Sequence, residues 1–310
     1  MPKVENAVQA VCVSDEEISS ATGLTIRSAL SGRELSSMAV GGKLSRVLEP
    51  QSVEDISRLI RLLSSYGESF LVLGAGSNLI IPDSGVPGWI IRLGRGFRYL
   101  NVLGSGRFEV GGAYPLMTLS RELSQQGLSG LEFAGGIPAS VGGAVRMNAG
   151  AHGGEMAQVL QSVTTVSTLG ELRRYDSSEL EFAYRSVNIP PGEVIACSSI
   201  KLVGSDPQKT SAFRNKCLTY RKETQPLHFP SAGSVFKNPS PTQSAGLLIE
   251  RAGLNGVSIG GAKISEQHAN WIVNEDRKAS YEDVTGLIEH CRNVVRKESA
   301  VTLETEVTCW

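Results

Sequence analysis

The sequence predicts an α+β fold, and three observations carry that expectation. Hydrophobic residues make up 41% and charged residues 20% of the 310-residue chain, a globular balance that excludes a disordered or coiled-coil chain. Apolar spacing alternates between helical periods and short strand-like runs. The 34 glycines gather in clusters, with no collagen-like period.

Taken in order, residues 1–36 are polar with weak periodicity and are expected to form an N-terminal extension. Their first stretch, MPKVENAVQAVCVSDEE, has one Lys and an apolar patch broken by Gln9, which makes a poor signal peptide. Ser52 then precedes VEDISRLIRLLSSYG, where Ile56, Leu59, Ile60 and Leu63 share one helical face. Asp55 at the third helical position and Gly67 after the last turn complete a capped amphipathic helix. FLVLG (70–74) reads as a short buried strand, so strand–helix–strand order points to an α/β layer.

A strand-rich stretch follows over about 88–205, with WIIRL, FEVGG, QSVTTVSTLG, ELRRY and EVIACSSIKLV as its runs. One helix near 116–126 interrupts it, with Leu116, Leu119 and Leu123 on one face and Gly127 as its stop. GSDPQKT (204–210) is the best linker candidate by its Gly, Pro and Ser content. Beyond it lies an α+β segment. Helices are expected near 243–252 and from about 281, the second capped by Ser280 with Asp283. WIVN (271–274) and the closing AVTLETEVT read as strands.

Several function classes are excluded at this stage. Lys+Arg 30 against Asp+Glu 31 leaves a net charge of -1 with no basic run, so no nucleic-acid partner is expected. No apolar run reaches a membrane span of ~18 residues, and a cytoplasmic protein is expected. Cys12, Cys197, Cys217, Cys291 and Cys309 are odd in number and form no CxxC, which fits reduced thiols better than a disulfide framework. His152, His228, His268 and His290 have no ligand spacing, and no metal site is expected.

The glycine clusters carry the chemistry. LGAGSNLI (73–80) places Gly74 and Gly76 directly after an apolar strand. Without a Cβ, such residues turn tightly and let backbone N–H groups approach an anion. The cluster is neither the dinucleotide fingerprint nor a P-loop, and a purely structural turn is the competing reading. GGIPASVGGAVRMNAGAHGG (135–154) has seven Gly and four Ala, with Arg146 its only certain charge. So small a set of side chains buries little apolar area, yet interleaved Ile137, Pro138, Val141 and Val145 are unlike a flexible linker. A close wrap around a ligand such as a diphosphate fits it better. SAGSVFKNP (231–239) and the Arg of YRS (184–186) would alone read as a turn and a surface charge.

Together, GAGSN, GGIPASVGGAVRMNAGAHGGE, YRS, SAGSVFKNP, SEQHANWIVN and LETEV resemble, in this order, the motifs of the UDP-N-acetylenolpyruvoylglucosamine reductases. These are the flavoenzymes of bacterial cell-wall (peptidoglycan) precursor synthesis. The resemblance covers about residues 37–310, and the short stretch from Pro239 to Ala245 is similar to the compact subtype. It implies a two-subdomain FAD-binding domain of the vanillyl-alcohol-oxidase/PCMH type over 37–205, divided into about 37–95 and 96–205. A C-terminal substrate-binding domain would occupy 206–310. NADPH would reduce bound FAD, and the enolpyruvyl ether of UDP-N-acetylglucosamine would then accept hydride and become UDP-N-acetylmuramate.

The resemblance also implies roles for residues. Arg185, Ser234 and Glu306 match the family's catalytic Arg, proton donor and acidic partner. Their chemistry agrees: hydride addition to an enol ether carboxylate leaves an enolate, which needs fixed charge, hydrogen-bond donors and a proton. FAD is expected on Gly74, Ala75, Gly76, Ser77, Asn78 and Leu79, and on Gly136, Ile137, Pro138, Ser140, Gly142, Gly143, Asn148 and Ala149. Arg221, Lys237, Asn238 and His268 fall on substrate-contacting positions. Two departures stand out: Thr308 takes the place of a usual Arg, and Thr224 that of a Lys frequent in longer members. Two other classes compete, an alcohol or aldehyde oxidase of the same FAD superfamily and a non-catalytic flavin or UDP-sugar sensor. Neither has reason to keep Arg185, Ser234 and Glu306 together.

Overall fold

Local sequence determines the first layer in the computed structural model, which describes residues 13–310. The helix Val53–Ser65 begins on a complete capping box, with the Ser52 hydroxyl on the Asp55 amide and the Asp55 carboxylate on the Ser52 amide. It buries Ile56, Leu59, Ile60 and Leu63 against a sheet in which Lys43–Leu48, Val86–Ile91 and Phe70–Val72 run parallel in that order. The WIIRL run thus belongs to this first layer, as the strand between the two others.

The expected extension through residue 36 is corrected where it is described. Ser14 caps the helix Asp15–Thr22, Ile26–Arg27 pairs with Lys43–Leu48, and Val13 and Ile18 are buried in the first core. The physical reason is that two apolar side chains suffice to seat a short polar helix on a formed layer. Residues 1–12, with Cys12 and most of the stretch judged for a signal peptide, lie outside the described residues.

The second subdomain is an antiparallel sheet ordered Leu172–Asp176, Leu160–Val166, Val194–Lys201, Arg107–Gly111, Leu100–Gly104. The helix Leu116–Gln125 buries Leu116, Leu119 and Leu123 in its core. GSDPQKT is no linker. Asp206 accepts from the Gln208 and Lys209 amides and Pro207 opens the helix Pro207–Thr224, which is how a Pro at the first helical position acts. That helix belongs with the second subdomain, so the expected boundary at 205/206 is displaced. Thr210 donates to Ser124 O, Arg214 to Gly135 O and Arg221 to Gly136 O.

The third unit packs the helices Ala245–Arg251 and Tyr281–Ser299 around an antiparallel sheet ordered Ser231–Ser234, Trp271–Val273, Ala262–Ile264, Ser258–Ile259. Ser280 and Asp283 form the capping box of the long helix. The closing strand is shorter than expected. Residues 301–307 join the sheet only by the Phe236–Thr305 bridge, and Thr308–Cys309 pairs parallel to Leu79–Ile80 of the first subdomain. Met38, Val40 and Ile80 of the first subdomain enter the core of this unit. Among the described residues no helix is long and apolar enough to cross a membrane.

Candidate active site

A cleft of about 640 Å³ opens between the first two subdomains, within the range of small-molecule and cofactor pockets. Phe70–Val72, Gly74 and Ala75 line one side, and Pro138, Ser140, Gly142 and Gly143 line the other. Leu71 and Val72 are 37% and 39% exposed, so the strand expected to be buried instead turns apolar side chains to the cleft. Its glycines keep the wall thin. A Cβ on Gly74 or Gly143 would come within 3.1 or 3.3 Å of the Ser140 hydroxyl, and one on Gly142 within 3.2 Å of two carbonyls.

A second constellation lies where all three units meet. The two-residue turn Tyr184–Arg185 joins the strands Phe182–Ala183 and Ser186–Val187, with Arg185 held in the left-handed region at φ 59. Such a conformation is costly for a residue with a side chain and is met at functional positions. Its guanidinium donates from Nη1 to Gly150 O at 3.0 Å, and its Nε lies 2.7 Å from Glu306 Oε1. That Nε–H is buried and has no well-directed acceptor, so the contact with Glu306 is one of charge rather than an aligned hydrogen bond.

Glu306 is 13% exposed at its side chain. Burial pushes its carboxyl above the ordinary value, while Arg185 and, more weakly, Lys237 pull the other way. Its own amide donates to Val235 O at 2.8 Å, directly beside Ser234. Ser234 ends the strand Ser231–Ser234, where the register against Trp271–Val273 shifts around Gly233 at φ 80. Such an irregularity re-aims the next side chain. Ser234 is the last residue of the strand, and its half-buried hydroxyl makes no hydrogen bond among the described residues. An arginine with an unused N–H, a carboxyl of raised affinity for protons and an uncommitted hydroxyl can together bind an anion and move a proton.

Residues 225–310 match the family model of the UDP-N-acetylenolpyruvoylglucosamine reductase C-terminal domain, and residues 44–176 match an FAD binding domain. The UDP-N-acetylenolpyruvoylglucosamine reductase of Anoxybacillus flavithermus is 40% identical over 270 residues, 86% of this chain and 88% of its own. That of Bacillus subtilis is 40% identical over 272 residues, 87% and 89% of the two chains. The crystal structure of the Thermus caldophilus enzyme superposes with a TM-score of 0.80 at 35% identity, covering 93% of this chain and 99% of that one. The chain belongs to the UDP-N-acetylenolpyruvoylglucosamine reductase family.

As a member of the reductase family it is an FAD-containing oxidoreductase of the α+β class the sequence led one to expect. The cleft fits the cofactor: Gly74, Ala75 and Gly143 leave its wall free of bulky side chains, and Gly142 lets its helix pack against the Gly112 and Ile195 carbonyls. Other residues of the two glycine-rich stretches make contacts within the fold. Gly76 packs against Leu35, where a Cβ would lie 1.8 Å from the carbonyl oxygen, and Asn78 donates from Nδ2 to Glu306 O. Gly136 accepts from Arg221 through its carbonyl, and Ile137 and Ala149 pack on the second core. Asn148, buried at φ 38, donates to Ala183 O and accepts from the Ala157 amide, which makes it the brace of its own turn.

The residues expected at the substrate divide as well. Burial, helped by nearby Arg185, lowers the Arg221 pKa to about 10. Lys237 pairs with Glu304 at 2.5 Å. Asn238 accepts from the Ala245 amide at a helix start, and His268, whose pKa burial lowers, accepts from the Asn270 amide at 3.3 Å. Thr308 is exposed on the C-terminal strand, and Thr224 bonds back to Tyr220 O within its helix. Sequence reasoning missed the arginines of the cleft. Arg92 and Arg98 line it, and Arg146 donates to Ile189 O, Pro190 O and Glu193 O, pinning the loop that forms one rim. Nothing in the local sequence sets Arg92 and Arg98 apart, while Arg146 stands out only as the one certain charge of the 135–154 stretch.

Proposed function

We propose that the protein uses NADPH to reduce the enolpyruvyl ether of UDP-N-acetylglucosamine to UDP-N-acetylmuramate. One observation supports this best: the buried Arg185 guanidinium lies 2.7 Å from the Glu306 carboxyl, whose proton affinity burial raises, and its Nε–H makes no directed hydrogen bond. A substrate carboxylate supplies the missing acceptor, and a guanidinium can hold it through two N–H groups.

Bound FAD would supply the hydride-transfer chemistry between the nicotinamide and the enol ether. Gly74, Ala75, Ser140, Gly142 and Gly143 would hold it, with Leu71 and Val72 against its apolar face. Arg185 binds the substrate carboxylate and stabilises the negative charge that develops there as the new C–H bond forms. Glu306, whose proton affinity burial raises, would share a proton with the same oxygens. Ser234 gives its hydroxyl proton to the carbon next to the carboxylate, which closes the enolate to a lactyl ether. Solvent restores the hydroxyl proton. Arg221, coupled in charge to Arg185, and Lys237, coupled to Glu306, would contribute positive charge on the substrate side. The reading carries the cytoplasmic compartment with it.

The purified protein should show a yellow flavin spectrum that bleaches with NADPH and regains its colour when the enolpyruvyl sugar is added without oxygen. Bleaching without recovery, or recovery only with oxygen, would reject the assigned substrate.

A further inference from the structure

We infer that Asn270 is a positioning residue for the Ser234 hydroxyl, an inference that rests on the reductase reading above. Ser234 lies opposite Trp271, where the pairing of Ser231–Ser234 with Trp271–Val273 ends. One more ladder bond follows, from the Val235 amide to Asn270 O at 2.9 Å. There the partner strand turns away, because the Trp271 amide closes a turn onto His268 O at 3.0 Å. Phe236 comes next, only 1% exposed, and that side offers its peptide groups no further backbone. The Asn270 side chain takes the vacant place. Its Oδ1 accepts from the Phe236 amide at 3.0 Å, and its Nδ2 donates to Phe236 O at 2.8 Å. A carboxamide carries the donor and acceptor of a peptide group, so it adds the rung that the strand no longer supplies.

That rung matters to the site because of what lies on either side of it. Three successive peptides join Ser234 to Lys237, and Asn270 bonds to each of them, through the Val235 N–H, the Phe236 N–H and the Phe236 C=O. On the opposite edge the C-terminal segment completes the clamp. Glu306 N–H donates to Val235 O at 2.8 Å, and Lys237 N–H donates to Glu304 O at 2.9 Å. Upstream of Ser234 the pairing is interrupted by the register shift around Gly233. The direction of the Ser234 Cα–Cβ bond therefore depends on the rungs that follow it. Its hydroxyl makes no hydrogen bond among the described residues that could aim it instead. Asn270 is itself 4% exposed, with its own amide held by His268 Nδ1.

The test compares the holoenzyme with Asn270→Ala, which removes both side-chain bonds, and with Asn270→Asp, which is nearly the same size and keeps the acceptor but lacks the N–H donor. Rapid mixing reads the two half-reactions separately. Flavin content and flavin reduction by NADPH should stay close to native, while re-oxidation by the sugar slows about 10- to 100-fold, the scale of a small misplacement of a reacting group. A residue that acts through Ser234 must lose its effect once that hydroxyl is gone. In a Ser234→Ala background, Asn270→Ala should then slow re-oxidation no further. Flavin loss, equal slowing of both half-reactions, or the same slowing in the Ser234→Ala background would overturn the assignment, as would failure of both variants to fold. If Ser234→Ala alone re-oxidises at the native rate, the reductase reading of Ser234 fails and takes this one with it. If Ser234→Ala is slow and neither Asn270 variant is, only the role of Asn270 falls.

Discussion

The C-terminal unit meets the rest of the molecule along two seams of opposite character. Against the first subdomain the seam is apolar and backbone-bonded. Met38, Val40 and Ile80 enter the C-terminal core, Ser37 and Ser231 exchange hydrogen bonds, and Asn274 holds the carbonyls of Met38 and Ala39. Against the second subdomain, polar contact among the described residues comes down to the Arg185–Glu306 pair and Gln267 on Glu223 O. The first seam is built like a domain interior, and its loss should be felt as stability. The second contains the groups with unused hydrogen-bonding capacity, and its loss should be felt as turnover.

The largest effect expected of this contrast belongs to Ser234, whose hydroxyl stabilises neither seam. Ser234→Ala should leave flavin content, flavin reduction and Tm nearly native while slowing re-oxidation by the sugar roughly 10²–10⁴-fold, the usual contribution of a general acid. Ser234→Cys should keep part of the rate, because a thiol still donates. An early-melting Ser234→Ala variant with native turnover would instead assign the hydroxyl to the fold and erase the contrast.

Asn274 makes the opposite case. It is fully buried, donates to Met38 O and Ala39 O, and accepts from the Ala279 amide. Ala39 lies at φ 56, so the same side chain fixes a backbone conformation that few residues adopt unaided. Asn274→Ala would strand buried peptide groups at about 1–3 kcal/mol for each one left unpaired. A clear fall in the denaturation midpoint is expected, with the rates of both half-reactions close to native in the protein that remains folded. Selective slowing of re-oxidation would show that the two seams are mechanically one.

How much of this was legible in the sequence depends on how local each cause is. Ser52 with Asp55, and Ser280 with Asp283, were readable as helix starts because both partners of each cap lie three residues apart. The helix Pro207–Thr224 was not. PQKTSAFRNKCLTYRKET carries no apolar stripe, and Thr210, Arg214 and Arg221 attach it to carbonyls about 80 residues or more away in the chain. The site shows the same division. Its motifs and residue types were plain, and the resemblance placed Arg185, Ser234 and Glu306, which the fold gathers around the junction of the three units. The contacts that seat GAGSN were hidden, because they depend on Gly76 meeting Leu35 and on Asn78 meeting Glu306, 228 positions on. Side-chain roles set by such distant contacts leave no local mark.

The smallest expected effect sharpens the second seam most. Glu306 has a carboxyl whose proton affinity is raised chiefly by burial, against the opposing pull of Arg185. A raised value in the folded state means that the native protein binds this proton more tightly than the unfolded chain does. The resulting stabilisation is present below the ordinary carboxyl range, near 4.5, and is lost as pH rises through the folded value. Glu306→Gln fixes the neutral form and removes that dependence. Between pH ~4 and ~7 the wild type should therefore lose ground in Tm relative to Glu306→Gln, a trend that paired melting curves in matched buffers would detect. The opposite trend, with the wild type gaining as pH rises, would mean that attraction to Arg185 outweighs burial. The seam would then be a stabilising ion pair, and the carboxyl would carry no proton to offer the substrate at neutral pH.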